Sequence, residues 1–425
     1  MTEPAATTEV EALAEPERNV RPLFLAGLAL ANVGIMIAFF APLQNLLPRM
    51  SEQISGASGK ETALAIVTGV GVIGSVIGNP LAGALSDRTT SRWGRRRPWL
   101  LGGALLGFVG LVMLPQMSTI ATLTTAWLAV QFAVNASYAA LTATIPDQVP
   151  VRQRGVASGL VGLAQALGPV LGVGLVTFVV VSLVGGSYLT AVLFVLCVVP
   201  FLFILKDPQL PQDRKPAFEL GAFVKSFWVS PRAHPDFGWA WLARFLVSLS
   251  VAMATLYLLF FLTDHLLFDE ETAGQRQTVL LALYAGGTML TAVIGGYISD
   301  RSGKRKIFVI VSTVIMAMSG VILAFVPKGQ EGWGITMIAA LILGIGYGWY
   351  LAVDQALITQ VLPTAGDRAK DLGVINIANS MPQVLAPVLA APLVTVLGGY
   401  TSLFLATAVI TLLGAVAVVP IKSVP

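Results

Sequence analysis

NPLAGALSDRTTSRWGRRRPW, Asn79 to Trp99, is the stretch that decides the fold. An apolar run ends in it, Asp87 stands at that end beside Arg88, and four more arginines follow by Arg97. Its core, GALSDR from Gly83 to Arg88, returns as GYISDR from Gly296 to Arg301, an offset of 213. Further on, Gly155 matches Gly373, and GPVL at Gly168 to Leu171 matches APVL at Ala386 to Leu389, both at an offset of 218. A chain that repeats itself at half its length is built from two copies of one plan.

The surroundings of both copies are apolar. With 56% hydrophobic and 11% charged residues among 425, the solvent for most of this chain is lipid, since soluble proteins carry about a quarter charged residues. Apolar runs long enough to cross ~30 Å of hydrocarbon recur, and ten-residue alternating strands do not, so helices span the bilayer and a β-barrel does not. The polar breaks predict helices at about 22–47, 61–86, 98–114, 119–145, 155–181, 188–205, 237–263, 277–299, 307–326, 335–361, 372–397 and 400–419. The fold class is therefore an all-α membrane protein, twelve transmembrane helices in two pseudo-symmetric six-helix bundles. Residues 1–21 read as a disordered acidic tail, 22–205 as the first bundle, 206–236 as a linker and 237–425 as the second bundle. The stretch from Phe218 to Trp228 reads equally as an interfacial helix or plain linker.

The formal net charge of +4 does not point to a nucleic-acid partner, because the positive charges are sorted by side. Cytoplasmic termini place 21 of 26 Lys and Arg in the cytoplasm, leaving Arg49, Lys60, Arg276 and Lys328 outside and Arg244 within a span. The expected location is a cell membrane, crossed many times. Cys197 is the lone cysteine, so no intramolecular disulfide forms. Only His234 and His265 occur, no HExxH or GxSxG motif is present, and nothing calls for a cofactor or a metal; an enzyme and a sensor are both poorly supported.

The Asn79–Trp99 stretch resembles the signature loop of the major facilitator superfamily, where glycines and an aspartate end helix two before a basic turn. The pattern SDRTxSRxGRxRPW is similar to the branch that carries glycosides, pentosides, hexuronides and sucrose. The resemblance implies that Gly83, Asp87, Arg88, Gly94 and Arg95 form a cytoplasmic latch, with Gly296, Asp300, Arg301, Gly303 and Lys304 as a weaker second copy. The alternative is that these arginines act only as topology signals. In the sodium-coupled melibiose-type members two aspartates bind the cation, and their positions match Ser75 and Asn79. Neither is a carboxylate here, which argues against sodium coupling and leaves the proton as the expected coupling ion. GPVLG, Gly168 to Gly172, resembles part of the antiporter motif of drug exporters.

Polar groups inside spans are expensive and face a cavity or partner. Gln131, Asn135, Tyr138 and Thr142 share one face of helix four by spacing; Asn376, Asn379 and Gln383 repeat the device on helix eleven, and Tyr347, Tyr350 and Asp354 on helix ten. With Asn32 on helix one, and with Asn79 as a coupling or gating position, these are the candidate site residues. Amides and hydroxyls beside aromatic rings suit a neutral polyhydroxylated ligand, although interhelical hydrogen bonds are the competing use of each. Arg244 and Asp354 lie at similar depth, about 10 Å in, by helical rise. They are expected to pair, with Asp354 a candidate proton carrier; the alternatives are a structural ion pair or a snorkelling arginine. The sequence therefore predicts secondary transport, with a proton-coupled sugar or glycoside importer as the leading reading. A proton-driven exporter of a drug-like or endogenous metabolite is the alternative.

Overall fold

The computed structural model describes residues 16–180, 182–215, 232, 234–302, 305–361 and 368–422. Twelve long helices occupy them: α1 (Pro22–Ser55), α2 (Lys60–Ser86), α3 (Arg97–Met113), α4 (Ile120–Gln148), α5 (Val151–Phe178), α6 (Leu183–Ile204), α7 (Pro235–Leu256), α8 (Glu270–Ser302), α9 (Arg305–Ala324), α10 (Trp333–Val361), α11 (Arg368–Thr395) and α12 (Gly399–Val418). Ten helices among the described residues are long and apolar enough to cross a membrane by length and composition. α8 and α11 fall outside that set. Both include residues whose side chains lie outside the described ones, and the apolar run found in α11 is Met381–Thr395.

Several helix ends differ from the polarity-based boundaries, and local capping accounts for two of them. α8 starts at Glu270 rather than at 277 because Asp269 Oδ1 accepts the Thr272 N–H at 3.0 Å, an N-cap that also holds the Asp269 carboxyl below the usual carboxylate range. α5 starts at Val151 rather than at 155 without a side-chain N-cap, and the arginines of its first turn bond to neighbouring segments. Arg152 donates to Asn19 Oδ1 and the Glu17 carbonyl, and Arg154 to the carbonyls of Val149 and Pro146. α6 starts at Leu183 rather than at 188, where the Ser182 side chain accepts from the Gly185 N–H. The candidate interfacial helix at 218–228 lies outside the described residues.

Helix packing follows one plan twice. In the first six helices α4 packs on α2 and α3, and α1 packs on α5 and α6, while α3 also meets α6. Adding six to each label gives the pairs found in the second set: α10 on α8 and α9, α7 on α11 and α12, and α9 on α12. The two sets meet through α2 against α11 and α5 against α8, a symmetric exchange. Glycine makes the α2–α4 and α8–α10 contacts close. A Cβ at Gly78 would lie 3.0 Å from the Phe132 carbonyl oxygen, and one at Gly287 3.1 Å from the Ile345 nitrogen. Large apolar side chains on α3, α6, α9 and α12, such as Leu106, Leu196, Met318 and Val416, stay exposed, as helices that face lipid require.

The first helix of each set carries a π-turn toward the same end of the molecule, Pro42–Leu46 in α1 and Phe261–His265 beyond α7. This end, opposite the chain termini, is called the far end below.

Candidate functional site

Among the described residues, two polar centres sit inside the bundle. In the first six helices, Asn135 Nδ2 donates to the Gln131 carbonyl at 2.9 Å and to Gln131 Oε1 at 3.3 Å. Thr142 donates to the Tyr138 carbonyl, and Gln165 Nε2 of α5 reaches the Tyr138 hydroxyl at 2.7 Å. Asn32 of α1 is fully buried and donates to the Leu28 carbonyl at 2.9 Å. Asn32 Oδ1 and Gln131 Nε2 remain buried without a hydrogen-bond partner. Unsatisfied buried amides are costly, so these two atoms are the strongest local signs of a polar ligand or water. Asn79 is half-buried on α2, one position before Pro80.

In the second six helices the centre is charged. Arg244 Nε of α7 lies 2.9 Å from Asp354 Oδ2 of α10, with both side chains about 4% exposed. Tyr350 donates its hydroxyl to Asp354 Oδ1 at 3.1 Å. Oδ2 makes this close ion contact without an aligned hydrogen bond, so the pair is held by charge more than by directional bonding. Tyr347 stacks on Tyr350 and on Tyr284 of α8, at centroid distances of 6.3 and 5.7 Å. Tyr284 gave no signal in the sequence, because a single tyrosine in an apolar run has no periodic partner. On α11, Gln383 is half-buried, whereas the side chains of Asn376 and Asn379 lie outside the described residues.

The loop between α2 and α3 is tied to its own half. Arg96 contacts Asp87 at 2.5 Å and Asp147, at the end of α4, at 2.8 Å. Arg95 meets the same Asp147 at 2.8 Å, and Arg96 also reaches Ser86 Oγ. Asp207, just beyond α6, accepts the backbone N–H groups of Arg96 and Arg97 at 2.7 and 2.8 Å, capping α3 from a distance. Gly94 has φ +96°, and a Cβ there would strike the Asp207 carboxylate, so glycine is required twice over. Gly83 has open space around it, and Arg88 approaches the Ala84 carbonyl. Arg96, Asp147 and Asp207 are functional candidates that motif reading missed, since two of them lie far from the loop in sequence. Of the second copy, the side chains of Asp300 and Arg301 and all of Gly303 and Lys304 lie outside the described residues.

Among the described residues, the halves join by polar contacts at the far end. Lys60 at the start of α2 is 3% exposed, bonds Asp264 of the other half at 2.7 Å and Glu52 at 3.2 Å, and lies 4.7 Å from the Phe260 ring centre. Tyr400 of α12 donates to Asp264 at 2.8 Å. Arg49 pairs with Glu270 at 3.4 Å, and Tyr257 donates to the Glu61 carbonyl at 3.3 Å. Pro48 has no N–H for the Gln44 carbonyl, and Gln277 Nε2 of α8 supplies one at 2.9 Å. A lysine at a helix N-terminus opposes the macrodipole, so Lys60 is placed for its two carboxylate partners rather than for α2.

Comparison with known proteins fits this architecture. The profile of the Major Facilitator Superfamily matches residues 23–276 and 263–425. An uncharacterized symporter of Synechocystis is 49% identical over 53 residues, which is 12% of this chain and 10% of that protein. The crystal structure of the nucleoside transporter NupG superposes with a TM-score of 0.70 at 14% identity, covering 94% of this chain and 98% of that one. A D-xylose-proton symporter gives 0.71 at 15% identity, covering 95% and 98%. At these identities the structural likeness speaks for the fold alone.

Proposed function

The chain belongs to the Major Facilitator Superfamily and is a multi-pass membrane transporter, and from that premise we propose that it imports a sugar or glycoside with protons by alternating access. The observation that carries the mechanism is the cross-half seal at the far end, centred on Lys60 and Asp264. A two-half bundle joined by polar bonds at one end is arranged to rock about its centre, breaking those bonds as the far end opens. The excess of Lys and Arg toward the termini supports a cytoplasmic placement for that side, which makes the sealed far end extracellular.

The proposed solute contacts are the amides and hydroxyls of Asn32, Gln131, Asn135 and Tyr138 in one half. Tyr347, Tyr350, Asn376, Asn379 and Gln383 would face them from the other. A sugar offers hydroxyls that both donate and accept, which suits the unpaired acceptor of Asn32 and the unpaired donor of Gln131. A nucleoside and D-xylose, the solutes named for the two fold relatives, are likewise polyhydroxylated. The proposed coupling group is Asp354. While Arg244 is held against it the carboxylate is compensated; a movement of α7 relative to α10 that separates them favours the neutral acid and so couples rocking to a proton.

The deciding experiment uses purified protein in liposomes under an inward proton gradient, with a panel of mono- and disaccharides, uronides and nucleosides and with internal pH recorded. Solute-dependent acidification with a sugar is the expected result. Movement of amphipathic cations outward against protons, with no sugar transported, would replace this reading with the exporter.

A further inference from the structure

A cavity of about 130 Å³ lies on the seam between the halves at the far end, lined by Asn45 and Arg49 of α1, Thr177 of α5, and Glu270, Glu271 and Gly274 of α8. Asn45 is 2% and Thr177 8% exposed, and Asn45 Oδ1 and Thr177 Oγ1 have no hydrogen-bond partner. Two more buried oxygens, Gln44 Oε1 of α1 and Gln277 Oε1 of α8, are also unpartnered, Gln44 adjoining Asn45. The backbone is shaped around the space. A Cβ at Gly274 would stand 3.2 Å from Thr177 Cγ2 and 3.7 Å from Asn45 Nδ2, so glycine keeps it open.

The charges at the mouth are unbalanced. Arg49 pairs with Glu270, which leaves the Glu271 carboxylate in excess. Arg276, the next cation along α8, turns away and lies over the rings of Phe268 and Trp333 at 4.5 and 4.3 Å. Hard oxygen donors beside one excess negative charge match a small monovalent cation, and the space holds such an ion with about three waters at ~30 Å³ each.

We propose that this cavity binds a sodium ion through Asn45, Thr177 and Glu271, and that the ion favours the closed far end because its ligands come from both halves. The site is separate from Ser75 and Asn79 on α2, where no carboxylate is present. It requires no substrate, so its test is independent of the sugar assignment.

The test is the thermal midpoint of the purified full-length protein in sodium, potassium or choline chloride at equal ionic strength. Sodium is expected to raise the midpoint by about 1–3 °C over choline. The rise is expected to vanish in Thr177→Val, which keeps side-chain shape, and in Glu271→Gln, an exposed change that spares the fold should the first variant misfold. Equal midpoints in sodium and choline would overturn the proposal and assign the cavity to water. An equal rise in potassium would overturn it as a general salt effect, and a sodium response kept by both variants would place the ion elsewhere.

Discussion

The two halves share every main helix pairing, yet their polar centres are chemically unlike. On α4 the interior carries amides and a tyrosine, neutral groups that donate and accept. On α10, its counterpart, the interior carries a carboxylate balanced by Arg244 of α7. Packing is set by small residues and apolar surface, and both halves use them. The polar groups of the two interiors can differ without changing those contacts. The proposed division follows: both halves contact the solute, and the charged centre of the second also senses the proton.

The sharpest way to break this comparison is to remove one charge. Arg244→Ala leaves Asp354 buried beside Tyr350 alone and is expected to cost about 3–5 kcal/mol. The loss would be read as a fall in thermal midpoint and in the yield of monodisperse protein. Replacing both members together, Arg244→Met with Asp354→Leu, should recover most of the stability but no proton coupling. If the single variant proves as stable as the parent, the pair is solvated and the contrast between the halves fails.

A more selective test is Asp354→Asn, measured by uptake with and without an imposed proton gradient. Solute exchange across the membrane should persist while acceleration by the gradient disappears. Full retention of gradient dependence would remove Asp354 from the coupling role and leave the charged half structural.

The far end supplies an intermediate effect. Lys60→Met removes a cross-half ion pair that is buried on the lysine side only, so about 1–2 kcal/mol of bias is expected, or roughly a tenfold shift toward the open far end. Thiol labelling of a cysteine placed at the buried Ser51 would report it as faster modification. Unchanged labelling would mean that apolar packing, and not this ion pair, holds the seal. The smallest expected change is in the neutral half. Gln165→Leu deletes one hydrogen bond to the Tyr138 hydroxyl and should cost about 0.5–1.5 kcal/mol, seen mainly as a raised KM for the solute. A loss as large as that of Arg244→Ala would show the halves to be energetically alike.

The legible part of the molecule is the part governed by transfer between water and lipid. Spans, repeat and helix content follow from runs of apolar residues and from the recurrence of Gly83–Arg88 at Gly296–Arg301, because hydrophobicity is a property each residue carries alone. Depth along a helix is equally local, which is why Arg244 and Asp354 could be set at one level before any contact was known. The stripe of Gln131, Asn135 and Tyr138 was readable for the same reason, since a helical face is fixed by spacing within one segment.

Contacts between segments were not legible. Nothing in the sequence joins Lys60 to Asp264, Asp147 to Arg96, or Asp207 to the start of α3, pairs separated by 204, 51 and 110 residues or more. Each needs two helices to be brought to the same end and rotated to face one another, and many rotations bury nearly the same apolar area. Which rotation is adopted depends on close glycine contacts such as Gly78 on Phe132, and on ion pairs that count only once water is excluded. The sequence by itself therefore determined that this chain spans a membrane in two related halves with polar groups at depth. Only the tertiary structure decided which groups meet and which end is closed, because electrostatic and packing energies depend on distances between segments that composition and period do not encode.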